Sequence, residues 1–469
     1  MLFARTVKRA FFPLDEELQL LPGHLTPSLQ EHLTRVSTWM PFERAAKEFQ
    51  WFTHVPVTEA QTRRVAEAAG AAYVDVQTAE VERLERTTPE PPPGPAVQLV
   101  SVDGAMVPLV HGAWTEVKTL VVGTVLPPVL ENGELVVHST DLSYFSRLTD
   151  AETFTRLALV ETQRRGVERA GTACGVTDGA PWEQGFLDVH RKDAVRILDF
   201  PHAAKYVTAL GQVVHGEGTP ALHTWLTATL HELKHGSVDM VLDQLHALQP
   251  VAPMPSDALA EPLPLTVPPP ESPPQAAQAE SAPHGAPAER AHPATPAELM
   301  QTSLDYLDKR RAHMTYAAFQ AAGYPIGSGA VESGNKVVVE GRLKGAGMHW
   351  APAHVNPMLA LRNIAYSDRW AEAWPQIERQ RRAQDGQARL QRQQQRRLKR
   401  PLVLALPQSS RPEDALPPPA SPTAKPVKEP KPAHPDGKAH RPAENHPWRH
   451  MPIGRAAFRP RKKVAPAKL

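Results

Sequence analysis

Two Asp-Gly-Ala triplets and one late acidic helix carry the residue types that hold divalent cations. Asp103 lies in VSVDGAMVPL and Asp178 in GVTDGAPW, each after a Val-containing apolar run. Asp-Gly alone is a common turn dipeptide. As a pair at the ends of neighbouring strands, however, the two carboxylates would converge at one edge of a sheet. Residues 324–350 (YPIGSGAVESGNKVVVEGRLKGAGMHW) open on the turn residues Pro325, Gly327, Ser328 and Gly329 and leave through Gly345 and Gly347. Between these turns Glu332, Lys336 and Glu340 recur at four-residue steps, which on a helix places two carboxylates and a lysine on one face. A solvated, salt-bridged face would use the same spacing. Combined with the two aspartates, Glu332 supplies a third carboxylate. Such a set of hard oxygens suits Mg²⁺, with Mn²⁺ able to replace it. Two such ions about 4 Å apart activate a water or a 3′-hydroxyl on one side of a phosphate and stabilise the leaving oxygen on the other. Metal-dependent phosphodiester chemistry is therefore the expectation. Asp199 and His202, in ILDFPHAAKY, form an Asp-x-x-His pair. They read either as a helix cap with a surface histidine or as a pair that orients the site, and Asp199 competes with Asp178 for the second ligand position.

The elements that must position these residues follow from periodicity. Residues 1–90 read as a small all-helical domain. Thr26-Pro27 starts one helix, Pro41 opens a second, and Thr58-Glu-Ala-Gln61 is a capping box ahead of a third. Two short helices across a tight turn, the second bearing Arg63 and Arg64, suggest a helix-turn-helix able to touch DNA. Residues 90–95 (EPPPGP) are a linker. In 96–215, AVQLVSVDGAMVPLV, WTEVKTLVVGTVL and GELVVHSTDL read as three successive strands. A helix, the strand TACGVTDGAPW, a short helical piece, the strand AVRILDF and a further helix follow. That order is the order of a ribonuclease H-like fold, an α/β architecture whose mixed sheet has helices on both faces. Residues 216–320 read as a helical insertion that contains a Pro-rich, disordered stretch at 250–296. Residues 321–375 return to the catalytic domain, and 376–469 form a basic, Pro-rich tail without a core. The basic run from Arg379 to Arg400 lacks aromatic residues, which suits phosphate contacts without base reading.

Composition bounds the classes. The chain has 469 residues, which is room for more than one domain, and its 50 prolines are too many for compact structure throughout. Net charge is +2, with the basic residues gathered near the C-terminus. The single cysteine, Cys174, excludes a disulfide framework and a cysteine-based zinc site within one chain, and fits a cytoplasmic setting. No apolar run approaches the ~18 residues of a spanning helix, so no membrane partner is expected.

The motifs, taken as a set, resemble a bacterial insertion-sequence transposase of the ISKra type, within the Mutator-like supergroup of DDE transposases. The stretches that carry the resemblance are FFPLDEELQL, VSVDGAMVP with HGAWTEVK, TDGAPW, ILDFPHAAKY, YPIGSGAVESGNK and RLKGAGMHW, in that order from Phe11 to about Trp374. The resemblance implies a ribonuclease H-like catalytic domain interrupted by a helical insertion. It puts the catalytic aspartates on Asp103 and Asp178, the Cys/Asp-x-x-His signature on Asp199 and His202, and the glutamate on Glu332, with Glu340 as the alternative. It also implies double-stranded DNA as partner, at element ends and target, and a dimer or larger assembly on it. Lys336, Arg342 and Lys344 would contact the scissile phosphate or its flanking strand. Relatives of this type often carry a cysteine-bearing, zinc-ribbon-like segment ahead of FFPLDEELQL, and this sequence opens where that segment would end. The rival expectations are a stand-alone ribonuclease H-like nuclease and an inactive, domesticated DNA-binding relative.

Overall fold

A five-stranded mixed sheet carries both Asp-Gly-Ala triplets. It is seen in a computed structural model that describes residues 25–131, 133–248 and 295–398. The FFPLDEELQL stretch, nearly all of the Pro-rich 250–296 segment and the tail beyond Leu398 lie outside the described residues. Strand β1 (Val97–Pro108) forms a long antiparallel hairpin with β2 (Trp114–Val125). A small two-stranded hairpin, β3 (Val129–Glu131) and β4 (Glu134–Val136), precedes β5 (Ser139–Arg147), which pairs antiparallel with β2. On the other side of β1, β6 (Thr172–Thr177) and β7 (Val195–Leu198) add in parallel, giving the order β5-β2-β1-β6-β7.

Residue alternation along β1 assigns the two faces. Val100 and Val102 point to one side with Leu120 and Val122 of β2 and Phe145 of β5, beneath helices α4 (Ala151–Arg164) and α5 (Pro181–His190). Phe154 and Phe186 close that core at zero exposure, each burial stabilising the fold by roughly 1.5–3 kcal/mol. Leu99, Ala105 and Val107 point the other way. Leu99 joins Cys174, Val176 and Ile197 under helices α6 (Phe200–His215), α7 (Pro220–His235), α8 (Val238–His246) and α9 (Pro296–Lys309). The short α10 (Tyr316–Ala321) follows α9. Ala105 and Val107 pack under Val338, Val339 and Leu343 of the late helical segment and under α12 (Pro352–Tyr366). That late segment, α11, has three contiguous parts: an α-helical start Gly329–Gly334, a π-helical stretch Asn335–Glu340 and a closing turn Gly341–Leu343. The sheet is thus covered on both faces, as the element order predicts.

Several sequence expectations shift. The third sheet strand is not GELVVHSTDL. Its first half forms β4, and the pairing strand runs on to Arg147, with Ser143, Ser146 and Arg147 buried. Polar residues are tolerated there because Ser143 Oγ donates to Glu161 and Ser146 Oγ accepts from Thr119. Gly104 does not turn the chain: β1 continues through it, paired with Lys118. A Cβ at that position would stand 2.2 Å from the Glu116 carboxylate, so the glycine makes room for a neighbouring strand.

The N-terminal helices α1 (Pro27–Trp39), α2 (Phe42–Thr53) and α3 (Glu59–Thr87) begin where the caps predict, with Thr26 and Thr58 accepting from Leu29 and Gln61 backbone N–H. The expected pair of short helices is not what forms. The helix bearing Arg63 and Arg64 runs for 29 residues, and its Ala66, Ala69 and Ala72 stripe is buried against α12 and α13 (Trp370–Leu398). Gly70 allows the closest approach, since a Cβ there would lie 2.1 Å from the Pro357 carbonyl oxygen. Helix α13 also overrides the expected tail start at 376: Trp370, Trp374 and Ile377 anchor it, and the buried Arg381 donates to Gln30 Oε1 at 2.8 Å.

Candidate metal centre

Parallel pairing of β1 and β6 sets the two aspartates side by side. The register matches Val100 with Gly175. Three residues further on each strand stand Asp103 and Asp178, at the same level where β6 ends. Ser101 Oγ ties the strands just below, donating to the Val176 carbonyl at 2.5 Å. Asp103 and Asp178 join Glu183, in the first turn of α5, as three carboxylates whose nearest oxygens all lie within 4.8 Å of one another.

Each member is held differently. Asp103 Oδ1 accepts from the Gly104 N–H at 2.7 Å, and Oδ2 accepts from Asn335 Nδ2 at 2.9 Å. Burial raises its pKa to about 7; the Asp178 and Glu332 charges add to the rise, and the two hydrogen bonds oppose it. Asp178 Oδ1 accepts from the Ala180 N–H at 2.9 Å, and its carbonyl accepts from the Tyr306 hydroxyl. Glu183 is buried, and Oε2 accepts from the N–H groups of Gly179 and Ala180, both at 3.1 Å. Burial, then the neighbouring Asp178, pushes its pKa well above the carboxylate range. Arg310 braces the same turn: Nη2 donates to the Gly179 carbonyl at 2.6 Å, with the guanidinium 3.7 Å over the Tyr306 ring.

Glu332 comes near this cluster without entering the tight triad. It is exposed on the first turn of α11, and its Oε1 accepts from Ser328 Oγ at 3.1 Å. Asn335, three residues on, reaches Asp103 from the same segment. Its Oδ1 is buried without a hydrogen-bond partner. Asp199 performs both roles that the sequence allowed. It caps α6, Oδ2 accepting from the His202 N–H at 2.9 Å, and Oδ1 accepts from the Ser328 N–H at 2.7 Å, which holds the loop leading to Glu332. Burial raises its pKa; the Ser328 and His202 N–H groups oppose the rise, and the Glu332 charge adds to it. It is not a member of the three-carboxylate cluster, which Asp178 joins. His202 is half-buried beside the stacked pair Tyr206 and Tyr306, and burial lowers its pKa.

The other predicted residues separate. Glu340 pairs with Lys344 at 2.9 Å and is not a member of the carboxylate cluster. The π-helical stretch explains this: its wider turn breaks the four-residue spacing that would align Glu340 with Glu332. Arg342 is not available to a phosphate. It is buried, donates Nε to the Ser37 carbonyl at 3.2 Å, and lies over the Phe42 and Trp350 rings. Lys336 is exposed, as are Arg63 and Arg64, which sit in the first turns of α3. Sequence reasoning missed Glu183, and it gave Asn335, within the singled-out 324–350 stretch, no role of its own. Pro181 followed two residues later by glutamate is an N1/N3 helix-start signal that could have marked Glu183. No sequence pattern marks Arg310.

All three clustered donors are hard carboxylate oxygens, which fit Mg²⁺ or Mn²⁺ and not a thiophilic metal. Among the described residues no helix is long and apolar enough to cross a membrane. Searched against protein-family models and against curated proteins, the chain matches none.

Proposed function

We propose that this protein is a DNA transposase of the insertion-sequence type, with a ribonuclease H-like catalytic domain that performs metal-dependent phosphoryl transfer. The observation that carries this reading is the juxtaposition of Asp103 and Asp178 at the same level of two parallel strands, with Asn335 from the Glu332-bearing segment hydrogen-bonded to Asp103. Three strands, a helix, then strand–helix–strand–helix on a mixed sheet covered on both faces support the fold assignment.

Asp103 and Asp178 would hold Mg²⁺ or Mn²⁺, with Glu332 completing the set. Bound there, the ions would activate water or a 3′-hydroxyl and stabilise the leaving oxygen. Glu332 is preferred over Glu183 as third ligand because it is exposed, on the side from which a DNA strand can approach. Glu183 is already satisfied by two backbone N–H groups and holds the turn that carries Asp178. Asn335 orients Asp103, and Asp199 orients the Glu332 loop through Ser328. Lys336 is the exposed cation for a flanking phosphate; Lys344 is engaged by Glu340. Two element ends must be handled together, so a dimer or higher assembly on DNA follows from the reading.

A mobility assay tests it. A marker flanked by the element's own ends is supplied with wild-type protein or with Asp103→Ala, Asp178→Ala, Glu332→Gln or Glu183→Gln. The first three should reduce movement to background, while Glu183→Gln, which keeps an acceptor for the two N–H groups, should retain measurable movement. Wild-type movement that survives loss of Asp103 or Asp178 would sink the assignment.

A further inference from the structure

Asn335 reaches Asp103 from the start of a π-helical stretch, and a π turn does not hold itself. Single π turns are rare and costly relative to α winding. Relaxation to α winding would rotate one side of the stretch against the other by about one residue, roughly 100°. Val338, Val339 and Leu343, on the far side, are locked into the core against Ala105 and Val107. Relaxation would therefore displace Glu332 to Asn335, the side that faces the aspartates, from its packing at Gly334 against Val121 and Tyr144.

One buried side chain grips this stretch. Arg362 of α12 is 2% exposed and donates Nε to the Val338 carbonyl and Nη2 to the Val337 carbonyl, both inside the π turn. Its Nη1 donates to the Thr38 carbonyl at the C-terminal end of α1. The neighbouring carbonyl, Ser37, accepts from Arg342 at the other end of α11. Two guanidiniums thus sit against the last turn of α1, where the helix dipole is negative. Among the described residues no carboxylate pairs with either. Burial lowers the pKa of both, that of Arg342 to about 10 with the Arg362 charge adding to the fall, which leaves them protonated at neutral pH.

We infer that Arg362 is a positioning residue: by holding the Val337 and Val338 carbonyls against α1, it keeps the stretch π-wound and so keeps Asn335 on Asp103. It touches neither substrate nor metal and acts through the backbone of α11. A lysine cannot replace it, because one ammonium lacks the planar fork that serves three carbonyls at once. The consequence for metal binding rests on the reading proposed above; the grip on the π turn does not.

Two readouts on the full chain decide it: amide hydrogen exchange of peptides spanning 335–343, and Mn²⁺ affinity by calorimetric titration. Arg362→Lys is compared with Leu361→Ala, a cavity variant one residue away on the α3-facing side of α12. Arg362→Lys should accelerate exchange in 335–343 and weaken Mn²⁺ binding by about 10–100-fold, the usual effect of losing an outer-shell partner. Leu361→Ala, at a comparable loss of thermal stability, should do neither. If Arg362→Lys does not fold, Gly341→Ala serves. Its Cβ would crowd the Lys336 carbonyl at 3.1 Å and Arg362 Nη2 at 3.5 Å, and it should move both readouts the same way by less. Unchanged exchange in 335–343, equal change in the Leu361→Ala control, or faster exchange with wild-type Mn²⁺ affinity each overturns the inference. A wild type that binds no Mn²⁺ overturns the metal reading instead, and the exchange arm alone then decides the role of Arg362.

Discussion

The two sides of the carboxylate cluster are built by different means. On the strand side, Asp103 and Asp178 stand three residues beyond the last β1–β6 pair, Val100 with Gly175, and Ser101 adds a cross-strand bond between them and that ladder. On the helix side, Glu332 and Asn335 sit on an irregular segment whose winding depends on buried polar contacts with other parts of the chain: Asp199 at Ser328, Arg362 at Val337 and Val338, and the segment's own Arg342 at the Ser37 carbonyl. A ladder tolerates the loss of any one side chain. A segment held by three buried polar anchors does not, because each lost partner leaves buried carbonyls or N–H groups unpaired. The helix side should therefore be the more easily disordered half of the site.

The largest effect that sharpens this contrast, short of removing the aspartates, is expected from Asn335→Ala. Among the described residues it severs the one side-chain hydrogen bond between Asp103 and α11 and should lower the proposed DNA cleavage by about 10–100-fold, with thermal stability nearly unchanged. Activity within two-fold of wild type, measured on a supplied end fragment, would mean that the halves are not coupled through it.

A smaller effect separates the halves by pH. His190, at the end of α5, places Nε2 2.8 Å from the Thr155 carbonyl and Nδ1 3.1 Å from Thr162 Oγ1, tying α5 to α4 behind the Asp178 turn. Burial lowers its pKa from 6.5 to about 4, against a small rise from the Thr155 bond. The folded state then binds fewer protons than the unfolded chain between those values. The stability this group contributes is present above about pH 6.5 and lost as pH falls through about 4, on the order of 3–4 kcal/mol in all. Asp103 and Asp199, whose pKa values burial raises, act with the opposite sign as pH falls, so the His190 contribution is read as a difference between two proteins. Thermal melts from pH 7 to 4 should show wild type losing more stability than His190→Gln; equal slopes in the two would assign the acid sensitivity elsewhere.

Lys344→Ala should do least. Its pair with Glu340 is solvent-exposed and spaced i,i+4, which is worth about 0.3–0.5 kcal/mol. A loss of DNA binding beyond a few-fold would return Lys344 to the interface.

The same contrast explains what the sequence made legible. The closeness of Asp103 and Asp178 was readable because apolar strands announce themselves by composition, although only Asp178 follows a strand end and β1 runs on five residues past Asp103. The caps at Thr26, Thr58 and Asp199 were readable because capping is local. The third sheet strand was misplaced because three of its four buried positions are serines and an arginine, satisfied by partners such as Glu161 and Gln77 that no local pattern reveals. Arg342 was assigned to DNA for the reverse reason: a basic residue reads as exposed unless its acceptors are known, and these are a carbonyl and two rings more than 300 residues upstream or at a nearby turn. The π winding of α11, and with it the separation of Glu340 from Glu332, has no signature in residue spacing. Helix α13 continued past 376 because Ile377 and Arg381 find partners on α1 and α3, whereas composition alone suggested a tail.

The most direct test of the central claim is to locate the cation. Crystals of the wild-type protein grown with Mn²⁺ should give an anomalous scattering peak in contact with Asp103 and Asp178, with the Glu332 carboxylate drawn toward it and Glu183 still bound to the Gly179 and Ala180 N–H groups. A peak elsewhere, or none at saturating Mn²⁺, would contradict the account.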